Sequence, residues 1–208
     1  LDNCTKSVES SINLYKEALK YVSADDYPLD YAMIQYNMGL SYNQADSQKN
    51  AGIRLKIARD IYEKSLEIYT VNNDPQTYAM IKYNLGNIYR HLWKTDDFFV
   101  FEKAKKNYEQ ALNVWTSESF PLYYAKVNAC LGMLYSKHYQ ENKSYSSFEN
   151  ARLKFKESLR LITLERYPVN FAKINMEFGN LFFIALEHTK NEILYHNAVY
   201  CYEKSLKV

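Results

Sequence analysis

The chain has 208 residues, 47% hydrophobic and 24% charged, with 26 basic against 24 acidic side chains for a net charge of +2. That balance argues against a nucleic-acid binder, which gathers a basic excess, and no apolar run reaches the roughly 18 residues of a membrane span. Cys4, Cys130 and Cys201 are far apart and form no CxxC pair, so reduced thiols and a cytoplasmic setting are expected. The chain begins at Leu1 rather than Met and is read as a processed protein or an excerpt of a longer one.

Residues 2–22 read as a helix with Ser11, Tyr15, Ala18, Leu19 and Val22 along one face, a stripe of helical period. The stripe returns at Ala58, Tyr62, Ser65, Leu66 and Tyr69, then at Ala104, Tyr108, Ala111, Leu112 and Trp115. It returns again at Ala151, Phe155, Ser158, Leu159 and Ile162, and at Ala198, Tyr202, Ser205 and Leu206. A second pattern alternates with it: YPLDYAMIQYNMGLSY from Tyr27, DPQTYAMIKYNLGNIY from Asp74, FPLYYAKVNACLGMLY from Phe120 and YPVNFAKINMEFGNLF from Tyr167. Pro28, Pro75, Pro121 and Pro168, all the prolines in the chain, are 47, 46 and 47 residues apart, and Gly39, Gly86, Gly132 and Gly179 keep the same intervals.

A repeat of this length predicts stacked supersecondary units and an all-α chain. Residues 1–26 are the second helix of a partial repeat; repeats over 27–73, 74–119, 120–166 and a truncated 167–208 follow in one helical-repeat domain. Each repeat opens with a helix at its proline, whose missing N–H has no partner in a first turn anyway, and Asp74 is a good N-cap ahead of Pro75. Tyr78, Ile81, Leu85, Ile88 and Leu92 form the buried stripe of one such helix, with Gly86 beside it. A helix-interior glycine costs about 0.5–1 kcal/mol relative to alanine, so its recurrence predicts close approach of a neighbouring helix. The connectors to the second helices, such as 43–54 and 137–147, are polar, are expected to be exposed, and are long for helix hairpins. Trp93 with Phe98 and Phe99 suggests that the second connector folds back and packs. Both ends of the repeat array lack polar caps and are expected to expose apolar surface, covered by further repeats or by self-association.

The small-xxx-aromatic-xx-small-Leu pattern of the second helices and the Leu-Gly-x-x-Tyr of Leu85 to Tyr89 resemble the tetratricopeptide repeat family over essentially the whole chain. The repeats are longer than the family's usual 34 residues, and Gln35, Lys82, Asn128 and Asn175 stand where that family carries a Trp. The aromatic-Pro-x-x-Tyr-Ala form resembles the long repeats beside bacterial CHAT protease domains and those of kinesin light chains. The resemblance implies a right-handed superhelical solenoid of antiparallel helix pairs, about four and a half repeats of 46–47 residues, whose first helices line a concave groove for peptides or partner proteins.

Helix geometry places candidate groove residues about 100° from each buried stripe. These are Met33, Tyr36, Asn37, Leu40 and Asn43 in the first full repeat, and Met80, Tyr83, Asn84, Asn87, Arg90 and His91 in the next. Lys126, Ala129, Cys130, Met133 and Lys137 follow, then Lys173, Met176, Glu177, Asn180 and Phe183. Asparagine suits the task because its amide both donates to and accepts from a peptide backbone; Cys130 and Glu177 break the series begun by Asn37 and Asn84. Packing between adjacent first helices is the competing role for the aromatic and methionine members.

His91, His138, His188 and His196 lack the HExxH spacing, no phosphate or nucleophile motif occurs, and no metal, cofactor or catalytic residue is expected. Cys201 neighbours the striped Tyr202 and reads as a core thiol. The favoured function is a non-catalytic scaffold binding a protein or peptide segment, with no nucleic acid or membrane partner. The alternatives are a regulatory repeat region excised from a larger signalling protein or enzyme and, third, a helical-repeat RNA binder, against which the near-neutral charge argues.

Overall fold

A computed structural model describes residues 3–44, 51–93 and 97–207, with side chains described from residue 7 and, at the end of the second helix, to residue 42. The side chains of Cys4 and Asn43, and the part of the first connector over 45–50, lie outside the described residues. The described residues form nine helices and no strand. Four open at the repeat prolines: α2 (Pro28–Gln44), α4 (Pro75–Leu92), α6 (Pro121–Asn142) and α8 (Pro168–Thr189). Five are the second helices: α1 (Asn3–Ala18), α3 (Ala51–Ser65), α5 (Phe98–Leu112), α7 (Tyr145–Leu159) and α9 (Glu192–Ser205).

Local chemistry sets the boundaries. Asp74 caps α4, its carboxylate accepting from the Thr77 amide at 3.0 Å, and Asp97 accepts from the Val100 amide at the start of α5. Between repeats the chain turns the same way four times: the amides of Tyr27, Asp74, Phe120 and Tyr167 donate to the carbonyls of Ser23, Thr70, Thr116 and Thr163 at 2.9–3.1 Å. Three of these hydroxyls also bond within the turn, Ser23 to Asp26, Thr70 to Asn73 and Thr116 to the Ser119 amide. Such side-chain bonds offer the backbone an alternative to continuing the helix.

The long polar connector expected over 137–147 is corrected. α6 continues to Asn142, α7 begins at Tyr145, and the turn rests on Lys143 in the left-handed region (φ 56°). Lys190 (φ 52°) does the same between α8 and α9. The polar residues here belong to a turn of helix rather than a loop. Of the residues behind the expected packing of the second connector, Trp93 is buried and Phe98 and Phe99 are exposed in the first turn of α5, while residues 94–96 lie outside the described residues.

Adjacent helices pack pairwise, and their contacts divide into two compact units, Leu1–Lys94 and Thr95–Val208. In the first, α2 packs on α1 and α3, and α3 on α4. Tyr62 of α3 is wholly buried with its ring over Gly39 of α2, where a Cβ would lie 2.7 Å from a ring carbon. In the second, Phe155 of α7 covers Gly132 of α6 and Tyr202 of α9 covers Gly179 of α8 at 2.8 and 2.7 Å. The glycines therefore admit an aromatic ring, which is the close approach their recurrence predicts. Phe155 also stacks on Phe178 of α8 at 5.3 Å, and Phe178 on Phe182 at 4.7 Å. The Ser158 hydroxyl donates to the Ala125 carbonyl at 2.8 Å, tying α7 to α6. The striped residues Tyr69, Trp115 and Ile162 lie beyond their helices yet remain buried.

Where α5, α6 and α7 meet, His138 stacks on Phe101 at 4.2 Å and its Nδ1 lies 2.8 Å from the Ser147 hydroxyl. Burial lowers its pKa below the usual 6.5, against a smaller upward pull from Glu102.

Two tests follow from this packing. Gly132→Ala places a methyl against the Phe155 ring and should destabilise by about 1–3 kcal/mol, overriding the helix preference for alanine. Gly52→Ala, with nothing within 4 Å, should be neutral or stabilise by up to about 1 kcal/mol; urea titrations of both variants decide. For His138, a pKa below the unfolded value means that the unfolded chain binds the proton more tightly. The stability it supports is fully present above about pH 6.5 and falls as the pH drops below that value. Urea midpoints at pH 7.5 and 5.5 should differ more for the parent than for His138→Gln.

Candidate functional site

The first-helix faces carry the expected residues at different depths. In the first unit, Met33 is exposed, whereas Tyr36, Asn37, Met80, Tyr83, Asn87 and Arg90 are half-buried. The Tyr36 ring lies 6.0 Å from that of Tyr62, so it packs over the α3 aromatic as well as reaching solvent. Asn84, which helix phase assigns to the groove, lies deeper than these neighbours. It is 7% exposed, and its Nδ2 donates to the Tyr62 hydroxyl at 3.3 Å. Tyr62 thus bridges α2 and α4, its ring over the Gly39 backbone and its tip held by Asn84. Burial, with Tyr36 nearby, drives its phenol well above the usual range, the Asn84 bond opposing. It stays a neutral donor and acceptor.

In the second unit, Lys126 is half-buried, with its ammonium 5.6 Å from the centre of the Tyr123 ring, and Lys173 is exposed. Asn180 accepts from the Tyr202 hydroxyl at 2.9 Å and donates to Glu177 at a long 3.4 Å, so its amide too serves the packing. A cavity of about 230 Å³ opens between α6 and α8, lined by Ala129, Met133, Phe155, Ile174, Met176 and Glu177, with Lys173 at its border. Most of these lie at the positions that helix phase assigned to the groove. Phe155 and Ile174 do not, because their phase marks them as core.

The Cys201 thiol is buried and pushed up to about 11, so it is not a thiolate at neutral pH and is a poor nucleophile. Among the described residues no group of three or more His, Cys, Asp or Glu could hold a metal ion, and no helix is long and apolar enough to cross a membrane.

The Tyr62–Asn84 bond is measurable. Because loss of one partner leaves a desolvated group behind, Asn84→Ala should cost about 1–3 kcal/mol and Tyr62→Phe somewhat less. Their double-mutant cycle should give a coupling of about 0.5–1.5 kcal/mol, and a coupling near zero would show that the two groups do not act together.

Comparison with family models, curated proteins and solved structures gives no match to this chain.

Proposed function

We propose that the chain is a non-catalytic interaction scaffold of the tetratricopeptide-repeat type, its helix pairs wound right-handedly, which binds a segment of a partner protein on the faces of its first helices. The observation that carries this reading is a line of large apolar side chains left in water on α8. Val169, Met176 and Phe183 are 57%, 44% and 49% exposed, and their seven-residue spacing sets them on one helix face. Lys173 and Asn180 lie between them. On α2, Leu29 and Met33 are similarly exposed. Contiguous exposed apolar residues with polar neighbours mark interaction surfaces, and the cavity beside Met176 supplies the concavity that anchoring a side chain requires. The buried, reduced thiols of Cys130 and Cys201 support a reducing, cytoplasmic setting.

The test uses an array of unstructured peptides, followed by calorimetry on the best binder of the full chain. Burying a methionine is worth about 1.5–3 kcal/mol, so Met33→Asp or Met176→Asp should weaken binding about tenfold or more. Leu153→Asp, on the exposed side of α7, should leave it unchanged. Lys126→Ala and Lys173→Ala should cost about 0–1 kcal/mol each, lost at high salt. Should Leu153→Asp abolish binding while both methionine variants bind like the parent, the second helices carry the function and the proposal fails.

A further inference from the structure

We infer that the cavity between α6 and α8 receives one bulky apolar side chain, Leu, Met or Phe, of an extended partner segment whose neighbouring residues are acidic. The inference deepens the scaffold reading above and rests on it.

The cavity lies at a seam that lacks what the seam between α2 and α4 has. Where Tyr62 lies over Gly39, its hydroxyl extends to α4 and is held by Asn84. Tyr202, over Gly179, spends its hydroxyl on Asn180. At the same repeat position α7 carries Phe155, which covers Gly132 but has no hydroxyl, and α8 carries Glu177 where α4 has Asn84. Two changes therefore coincide at one seam: the polar tip that would fill it is missing, and the amide that would hold that tip is a carboxylate. The small Ala129 and the flexible Met133 and Met176 complete the walls.

Size and chemistry select the occupant. About 230 Å³ is below the roughly 300–1,000 Å³ of sites that enclose a whole small molecule, but it admits one large side chain of the kind that anchors protein interfaces. Methionine walls adapt to Leu, Met or Phe alike. Glu177, which accepts a long bond from Asn180, can also accept from a main-chain N–H of the occupant. Lys126 and Lys173 hold equivalent places on α6 and α8, in the second turn after Pro121 and Pro168. They add two cations near helix ends that are themselves positive. Lys173 forms no ion pair among the described residues. An acidic residue beside the anchor is complementary to this end of the seam.

The five methionines of the full chain, labelled at their methyl carbons, report site by site: Met133 and Met176 line the cavity, while Met33, Met38 and Met80 lie in the other unit. The probes are end-blocked hexapeptides with a central Leu, Met, Phe or Ala, flanked by Asp or by Lys. Asp-flanked Leu, Met and Phe peptides should shift Met133 and Met176, and the Ala peptide should not. Lys flanks should weaken binding about tenfold at low salt. Phe155→Tyr, which projects a hydroxyl into the cavity, should abolish these shifts while circular dichroism and melting stay near the parent's. If that variant does not fold, Ala129→Leu fills the cavity from α6 and makes the same test. Equal shifts with the Ala peptide, parent-like binding by the filled variant, or equal or tighter binding of Lys-flanked peptides would each overturn the inference. Shifts confined to Met33 and Met80 would leave the scaffold reading standing and refute the cavity site, whereas no shift with any peptide at about millimolar concentration would count against both.

Discussion

An aromatic ring resting on a glycine is the contact on which three of the helix pairs depend. Tyr62 on Gly39, Phe155 on Gly132 and Tyr202 on Gly179 place ring carbons 2.7–2.8 Å from where a Cβ would stand, closer than any side-chain carbon tolerates. The first helix can approach the second to this distance only without a side chain at that point, which explains why a residue that disfavours helices sits in the middle of α2, α6 and α8. It also couples two positions from different helices, so aromatic and glycine must recur at the same interval. Because the ring occupies one flank of the first helix, it also determines which flank is left for solvent or a ligand.

Hydrogen bonds then fix the pair around that ring. Ser158 reaches the Ala125 carbonyl and Tyr124 donates to Glu157, both between α6 and α7, and in the other unit Tyr89 of α4 donates to Glu63 of α3. Each joins a first helix to a neighbouring second helix, the Ser158 bond in the core and the two tyrosine bonds where the core meets water. There the net value of a hydrogen bond is modest, about 0.5–1.5 kcal/mol, but the cost of orphaning one partner is higher. Such bonds define register more than they add stability.

What the sequence makes legible are the features enforced by backbone sterics. Pro75, Pro121 and Pro168 begin helices because proline suits only the first turn. The stripe Ala58, Tyr62 and Ser65 is buried because helical period and burial go together. Polarity alone is a weaker guide. Residues 137–142 look like a loop but cover a helical turn, since an exposed helix face and a loop draw on the same side chains. Phase placed Asn84 and Asn180 beside the buried stripe but did not give their depth, because that flank is shared between the seam to a neighbouring aromatic and open solvent. The turns at Ser23, Thr70, Thr116 and Thr163 carried a readable signal, a hydroxyl recurring at the repeat interval just ahead of each proline.

Variation within a fixed contact is how such a chain acquires a site. Phe155 preserves the ring on its glycine and so preserves the fold, while removing one oxygen opens the seam toward α8, where Glu177, Met176 and Lys173 already differ from their counterparts in α4. The most direct test is a crystal structure of the double variant Phe155→Tyr/Glu177→Asn. The account predicts an unchanged backbone, the new hydroxyl within hydrogen-bond distance of the new amide as Tyr62 is of Asn84, and no cavity between α6 and α8. A hydroxyl turned away from α8 with the cavity still open would show that the Tyr–Asn pair does not close these seams, and would contradict it.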